Sequence, residues 1–521
     1  MTKKIIEYRD FSGGEYGRDE GWSAPKNSWT GQNMLVYRTG ELGVRAGIQQ
    51  LFPTSLATST NSMWNVGGAP AVSNEVWFGQ DDRVRKFAFG ASGAGAVSTL
   101  TTALTGGSPD VSTGKFGEDS LNTYLATSKG IYSHNQTAVT ALSTTVTGNT
   151  IARYGDRLCI NNAANSNQLR FSAAADFTSW PAANVIVVGD DSPITALFSQ
   201  RNHLVILKKG SVWILTGVPG VNETLRPVSR HLGPTEHKQV GKTIDDRLFY
   251  VPFDLFPASF DGSSVREYPR LLTPAGNPAI TSFRRGNPDG VFLYDPTSLT
   301  TQFGKQGLLF ANGTWTRHDF GLDYVNTGYY VTDTAHLYYQ DPVTPTDLRF
   351  TGSVVIAQDN GAAGYPTFYA WSPFLDRPGS EDSAGVGTTV APERAGDIST
   401  AQVAGEVTFP EWHSDDASEV TVRYVIVDFR SWDTGGSLTN HFDLTVDSLR
   451  RYDATGAVTA ATAEWDEAGA LSSGAGTLQR KVFSFGDQGP GNGMQLSLAA
   501  CRGVAFTRIQ VIADTAPFRG A

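Results

Sequence analysis

Asn202-His-Leu-Val-Ile-Leu-Lys-Lys-Gly-Ser-Val-Trp-Ile-Leu-Thr216 is two short apolar runs joined by Lys-Lys-Gly. Runs of this length, rich in Val, Ile, Leu and Trp and broken by a glycine, read as strand, turn and strand. They are too short for a globular helix and lack its 3.6-residue period. The first run has counterparts along the chain: Glu75-Val-Trp-Phe, Asn122-Thr-Tyr-Leu, Asp156-Arg-Leu-Cys-Ile, Asp246-Arg-Leu-Phe-Tyr, Gly290-Val-Phe-Leu-Tyr and Ala335-His-Leu-Tyr-Tyr. Gly130-Ile-Tyr, Gln168-Leu-Arg-Phe and Asp347-Leu-Arg-Phe resemble the second run. Trp77, Tyr124, Leu158, Leu204, Leu248, Phe292 and Leu337 recur at steps of about 47, 34, 46, 44, 44 and 45 residues, mostly within the period of roughly 40–50 of a β-propeller blade. A lone four-stranded blade cannot hide both of its apolar faces; radial packing covers them, and closing the ring leaves no end blade exposed. The markers predict a propeller-like body of about six to eight blades over residues 51–375.

The flanks have a different texture. Asp376 to Ala404 is rich in Gly, Ser, Pro, Glu and Asp and reads as a linker or loop, residues 376–404. Beyond it, Val420, Val422, Tyr424 and Ile426 alternate with polar neighbours, as do Phe442, Leu444 and Val446, then Phe483 and Phe485, then Met494, Leu496 and Leu498, with a last strand around Ile509 and Val511. Strands at this density with one apolar face predict a C-terminal β-sandwich over residues 405–521. Residues 1–50 carry Phe11, Trp22, Trp29 and several glycines with little repeat, and read as an extended N-terminal arm packed on the body or on a neighbour. The expected fold class is all-β throughout.

Charge narrows the function. The chain of 521 residues has 41 Lys and Arg against 51 Asp and Glu, a net charge of −10 with no basic cluster. Binding DNA by neutralising phosphates requires a basic stripe. Lys208-Lys209, Arg284-Arg285 and Arg450-Arg451 are isolated pairs, expected at solvated turns. Charged residues make up only 18% of the chain, which suits broad contact with other subunits as well as solvent. Cys159 and Cys501 form neither a disulfide framework nor a zinc set and read as buried thiols in a reducing cytosol. Met1 to Asp10 lacks an apolar signal core and no run approaches a membrane span, so a soluble protein made in a cytoplasm is expected.

The constellations of catalysis are missing. There is no phosphate loop, no His-Glu-x-x-His and no nucleophile elbow. Gly90-Ala-Ser-Gly-Ala-Gly is glycine-rich but lies in a low-complexity stretch and reads as a loop. His231 and His237 flank Glu236 without a further ligand at metal spacing. Asp81-Asp82, Asp190-Asp191, Asp245-Asp246 and Asp415-Asp416 read as turn caps, because glycosidic chemistry needs two carboxylates facing each other across a cleft. Asn312-Gly-Thr-Trp-Thr lacks the Ser-x-Asp-x-Gly order of an aspartate box and reads as a hairpin turn entering an aromatic strand. Trp64, Trp77, Trp180, Trp213, Trp315 and Trp371 are expected to pack between blades, although aromatics so placed also suit a sugar site. The expectation is no catalytic, cofactor-binding or metal residues, and no enzyme.

Two parts of the chain carry a resemblance, one N-terminal and one central. Asp10-Phe-Ser-Gly-Gly-Glu, followed by Asn33-Met-Leu-Val-Tyr-Arg-Thr-Gly-Glu-Leu-Gly-Val-Arg-Ala-Gly, resembles the opening of tailed-phage tail nozzle and tail tubular proteins. Arg170-Phe-Ser-Ala-Ala-Ala-Asp-Phe-Thr-Ser-Trp resembles their blade motif, and Pro193-Ile-Thr-Ala-Leu with His203 to Gly217 continues it. The resemblance implies a structural virion protein, a propeller subunit of a homo-oligomeric ring, usually a hexamer, below portal and adaptor. Phage DNA would pass through its channel during genome ejection without sequence-specific binding. It implies location in the virion tail after assembly in the host bacterial cytoplasm, with portal, adaptor and other tail proteins as partners and no membrane anchor. Gly90 to Gly107 and Arg377 to Gly396 are the candidate gating loops. The alternatives are a carbohydrate-binding or carbohydrate-cleaving propeller and a host-receptor-binding protein of the tail tip.

Overall fold

The computed structural model describes residues 2–11, 14–15, 28–36, 40–44, 48–50, 60–65, 75–80, 83–89, 95–99, 112–115, 123–134, 139–200, 202–235, 239–242, 247–252, 257–267, 279–283, 290–294, 306–311, 314–319, 330–337, 353–359, 367–371, 404–413, 419–431, 440–449, 459–467, 477–485 and 493–516. Among them there are strands and turns but no α-helix, and the protein is all-β with several antiparallel sheets.

Seven of these sheets are four-stranded and follow one another along the chain. Sheet I is Thr60–Asn65, Glu75–Gln80, Arg83–Phe89 and Gly95–Thr99; sheet II is Ser112–Lys115, Thr123–Thr127, Gly130–His134 and Val139–Ser143. Sheet III is Ile151–Tyr154, Arg157–Asn161, Gln168–Phe171 and Val185–Val187; sheet IV is Ile194–Gln200, His203–Lys208, Ser211–Thr216 and Thr224–Ser229. Sheet V is Val240–Lys242, Leu248–Tyr250, Ala258–Phe260 and Val265–Glu267; sheet VI is Ala279–Phe283, Gly290–Tyr294, Gln306–Ala311 and Thr314–Asp319. Sheet VII takes Tyr330–Leu337, Ser353–Asp359 and Thr367–Trp371 from the end of this region and its fourth strand, Ile48–Gln50, from the beginning. That last strand is antiparallel, with Ile48 opposite Trp371 and Gln50 opposite Tyr369.

The opening hairpin shows why these strands read as unbroken apolar runs. Leu204 pairs with Leu215, Val205 with Ile214, Ile206 with Trp213 and Leu207 with Val212. Successive residues of a strand point to opposite faces, and both faces of sheet IV are covered. Leu204, Ile206 and Leu215 join Leu169, Phe171 and Leu197 in the core shared with sheet III. Val205, Leu207, Val212 and Ile214 join Val240, Leu248, Tyr250 and Phe260 in the core shared with sheet V. Each fully buried aliphatic side chain contributes about 1.5–3 kcal/mol. Similar cores join sheets II and III through Tyr124, Ile131, Ile151, Leu158 and Ile160, and sheets I and II through Val84, Leu125 and Tyr132. First strands of neighbouring sheets lie side by side: Val240–Lys242 by Ala279–Phe283, Ala279–Phe283 by Tyr330–Leu337, and Tyr330–Leu337 by Thr60–Asn65 of sheet I.

Six of the seven sequence markers fall on second strands of sheets I to VI, but Leu337 ends the first strand of sheet VII. The marker pattern reports an apolar strand without distinguishing its place in the sheet. Asp347-Leu-Arg-Phe lies outside the described residues, as do all but Ala404 of the expected 376–404 linker and the whole of the Arg377 to Gly396 loop. The candidate loop from Gly90 to Gly107 contains a strand, Gly95–Thr99, paired with Arg85 to Phe89.

Residues 1–50, read as an arm, supply strands instead. Sheet VIII runs Thr477–Ser484, Glu419–Ser431, Val504–Ala516, Leu42–Val44 and Met34–Val36, with Thr2–Tyr8 also paired to Val504–Ala516. Sheet IX runs Gly14–Glu15, Ser28–Gln32, Gly405–Thr408, Gly493–Arg502, Asn440–Leu449 and Thr459–Glu467, with Trp412–His413 also on Gly493–Arg502. One core joins the two sheets, and Tyr8, Phe11, Trp29, Met34, Leu42 and Val44 are part of it alongside Val425, Phe442, Leu496 and Phe506. Trp29 Nε1 donates to the Phe11 carbonyl at 3.1 Å, anchoring this segment internally. Phe442, Leu444, Val446, Met494, Leu496, Leu498, Ile509 and Val511 face the core as their alternation predicts. Val420 and Val422 do as well, but a register shift between Val422 and Tyr424 moves the inward face to Val425, Val427 and Phe429, leaving Tyr424 45% exposed. A bulge adds one residue and reverses the facing of everything beyond it.

Candidate functional site

The blade-motif segment Arg170 to Trp180 leaves sheet III and folds over the neighbouring sheet II. Phe171 ends the third strand of sheet III, buried, with the Arg157 guanidinium 5.2 Å above its ring. Ser172 Oγ accepts the Leu158 backbone N–H at 3.0 Å, and Arg157 Nη1 donates to the Ser172 carbonyl at 2.7 Å. The chain then turns through Ala175 at φ +55°, a left-handed conformation that costs an L-residue about 1–2 kcal/mol. The Ala175 N–H donates to the Asp156 carbonyl at 2.9 Å and the Ala173 N–H to the Ser179 carbonyl at 2.8 Å, which fix the turn. Asp176 Oδ1 accepts the Thr178 hydroxyl at 2.7 Å and the Thr178 N–H at 3.0 Å, an Asx-type turn. These bonds, the hydroxyl first, hold the Asp176 carboxyl below its usual range. Trp180 Nε1 donates to the Phe177 carbonyl at 3.0 Å, and Arg170 Nη2 to the Trp180 carbonyl at 3.1 Å. Phe177 and Trp180 thereby pack on the core between sheets II and III, Phe177 edge-on to Tyr124 with centroids 5.4 Å apart. The segment is a clamp between two sheets, built from packing and hydrogen bonds.

The residues weighed for chemistry are dispersed. His231 is exposed and its backbone N–H donates to Ser229 Oγ at 3.3 Å; Glu236 and His237 lie outside the described residues. Asp190 and Asp191 occupy the turn between sheets III and IV, where Asp190 Oδ1 accepts the Ser192 N–H at 3.0 Å and Asp191 Oδ1 accepts Asn167 Nδ2 at 3.2 Å. The other three aspartate pairs lie outside the described residues. Ala311 stands opposite Thr314 and Phe310 opposite Trp315, so Gln306–Ala311 and Thr314–Asp319 pair as neighbouring antiparallel strands, while Asn312 and Gly313 lie outside the described residues. Trp64 is opposite Trp77 across two strands of sheet I, and Trp213 is half-buried against the core of sheets III and IV with Nε1 donating to Ser211 Oγ at 3.0 Å. Cys159 and Cys501 are fully buried; burial pushes the Cys159 thiol up to about 12 and raises that of Cys501 as well.

Two groupings were not found from sequence. On the outer face of sheet VIII, Asp428 receives Arg480 Nε at 2.6 Å and Arg508 Nη2 at 2.6 Å from the strands on either side. The Arg480 hydrogen bond and then those of Arg508 hold the Asp428 carboxyl below its usual range against the opposing effect of burial. Arg423 meets Asp514 at 2.9 Å, Arg430 meets Glu41 at 2.7 Å, and Arg508 Nη1 lies 3.7 Å from Glu7. On sheet IX, His441 Nε2 is 3.2 Å from Asp443 Oδ1 and its Nδ1 is 3.9 Å from Glu464 Oε1. Both ring nitrogens face carboxylates, and the three groups are close enough to meet one divalent cation. Neither grouping was visible in sequence, because cross-strand partners lie tens of residues apart and only the register brings them together. No protein-family model and no curated protein matches this chain.

Proposed function

We propose that the seven four-stranded sheets close into a single propeller, and that the protein is a structural component of a tailed-phage tail, a ring-forming nozzle or tube subunit around the channel through which the genome leaves. The observation that carries the propeller is the seventh sheet, which draws its fourth strand from Ile48–Gln50, 280 or so positions before its first strand. Joining the two ends of a radial array in one sheet latches the ring and leaves no end sheet with a bare face. The assignment to a tail rests on the resemblance of residues 10–15, 33–47 and 170–180 to nozzle and tubular proteins. It gains support from the way the third of these stretches works as an inter-sheet clamp, packing Phe177 and Trp180 on the core between two sheets.

The function is mechanical. The net charge of −10 suits a channel along which DNA slides, because an acidic wall repels phosphate and offers no counterion release to hold it. Portal, adaptor and other tail proteins are the partners in this reading. Negative-stain electron microscopy of the purified protein, alone and mixed with virion components, tests it. Closed rings with a central hole are the expected outcome and yield the symmetry directly. Persistent monomers without affinity for any virion component would overturn the reading and favour a carbohydrate-binding propeller, to be checked with labelled glycans.

A further inference from the structure

Two strands of sheet VIII pair with a strand on one side only among the described residues, Thr477–Ser484 with Glu419–Ser431 and Thr2–Tyr8 with Val504–Ala516. They are eight and seven residues long, and both carry exposed aliphatic side chains: Leu478 is 61% exposed, Val482 60% and Ile5 66%. A long edge strand with apolar side chains in water is a template for pairing with another chain. We propose that these two edges meet between adjacent copies of this protein, so that sheet VIII continues from subunit to subunit around the ring. The inference rests on the ring-forming reading above and assigns the surface that builds the ring.

Strand direction allows it. Thr2–Tyr8 is antiparallel to Val504–Ala516, which is antiparallel to Glu419–Ser431, which is antiparallel to Thr477–Ser484. Thr477–Ser484 therefore runs opposite to Thr2–Tyr8, and laying one subunit's edge against the other edge of its neighbour makes an antiparallel pair. Such a contact uses two different surfaces and so forms rings when the rotation closes.

Side-chain chemistry selects the register. Arg480 lies beside Asp428 and Arg508 on the outer face, so Leu478, Arg480 and Val482 share that face. Ile5 is opposite Ile512 and Glu7 opposite Gln510, which places Lys3, Ile5 and Glu7 on the same face. With Val482 opposite Ile5 of the next copy, an antiparallel pair puts Arg480 opposite Glu7 and Ser484 opposite Lys3. Apolar then meets apolar and cation meets anion, the combination that stabilises cross-strand neighbours. Arg480 is 59% exposed and Glu7 31%, and among the described residues Glu7 has the 3.7 Å approach of Arg508 as its ion pair. The exposed row continues inward across Tyr424.

Directly opposed residues of antiparallel strands have Cα atoms about 4.5–5.5 Å apart, within disulfide reach. The test mixes Ile5→Cys chains with Val482→Cys chains under mild oxidation; Cys159 and Cys501 are buried and stay silent. The expected result is a disulfide-linked dimer in the mixture and none from either variant alone, with a ladder of larger species from the double variant. Homodimers from Val482→Cys alone would overturn the head-to-tail contact in favour of a two-fold one. Rings of the unmodified protein in micrographs, without cross-linking in the mixture, would overturn the inference and leave the ring reading standing. Absence of both rings and cross-links would overturn the ring reading itself. As a second measurement, Val482→Asp, at an exposed position, should abolish rings while leaving the thermal midpoint of the monomer unchanged.

Discussion

A lysine ammonium without any solvent contact must find hydrogen-bond acceptors for all three of its protons. Lys208 does so in the turn between sheets III and IV, where Nζ donates to the carbonyls of Val188 and Asp190 and to Asp190 Oδ1. Gly189 at φ +58° lets the turn pass against the Trp213 ring, where a Cβ would collide. Lys208→Met keeps the apolar stem but removes the donor from both carbonyls. It should cost about 2 kcal/mol, the range for charged hydrogen bonds, read as a lower urea midpoint. The Lys208 and Ser192 hydrogen bonds depress the Asp190 carboxyl to about 2, and backbone and serine donors of its own turn do the same for Asp261. A carboxyl more acidic folded than unfolded stabilises the fold above its unfolded pKa near 3.9. That contribution is lost as pH falls from about 4 towards about 2. The thermal midpoint should drop across this window, and Asp190→Asn should flatten the drop. The adjacent Lys208 and Lys209 are expected together at a solvated turn, whereas of the two only Lys209 is exposed. The strand period already separated them: Lys208 has the parity of Leu204 and Ile206, which face sheet III.

At the scale of elements, the clamp from Arg170 to Trp180 adds Phe177 and Trp180 to the core that joins sheets II and III. Phe177→Ala removes the ring stacked edge-on to Tyr124 and uncovers part of the core of sheets II and III. It should destabilise by about 2–3 kcal/mol, below the 3–5 of a fully buried phenylalanine because Phe177 is only half-buried. A urea series on Phe177→Ala and Phe177→Leu checks it, with the leucine recovering part of the loss. Asp428 plays the corresponding part on sheet VIII, tying three strands through Arg480 and Arg508. Asp428→Asn leaves two guanidinium groups adjacent without their shared anion. A cost of about 2 kcal/mol is expected, under the 3–5 for breaking a fully buried pair, since both arginines reach solvent. Added salt should shrink that difference. Legibility followed from what each element depends on. The runs around Leu204 and the alternation at Phe442, Leu444 and Val446 depend on burial of their own side chains and could be read directly. The shift after Val422 could not, because a bulge is decided by the partner strand, and neither could the ion pairs, which depend on register.

For the whole molecule, the decisive feature is that one N-terminal segment serves two bodies. The described residues between 2 and 44 add strands to sheets VIII and IX, and Ile48–Gln50 completes sheet VII. Sequence periodicity could not reveal this, because strands such as Met34–Val36, Leu42–Val44 and Ile48–Gln50 are three residues long and complete barely one alternation. Two truncations separate the roles. A chain beginning at residue 45 lacks Tyr8, Phe11, Trp29, Met34, Leu42 and Val44 from the core that joins sheets VIII and IX. At about 1.5–3 kcal/mol for each buried side chain, the loss is comparable to the net stability of about 5–15 kcal/mol that a domain has. Its C-terminal part, from residue 404 onward, should therefore be digested rapidly by a protease while sheets I to VII persist as a resistant fragment. A chain beginning at residue 51 also lacks the strand opposite Tyr369 to Trp371. In that chain sheet VII has three strands and nothing to latch it, so the first protected fragment should itself become labile, with cuts appearing in sheets VI and VII before the others. Equal protease resistance of the two truncated chains would mean that Ile48–Gln50 adds nothing to the body, and the closed propeller would lose the observation that carries it.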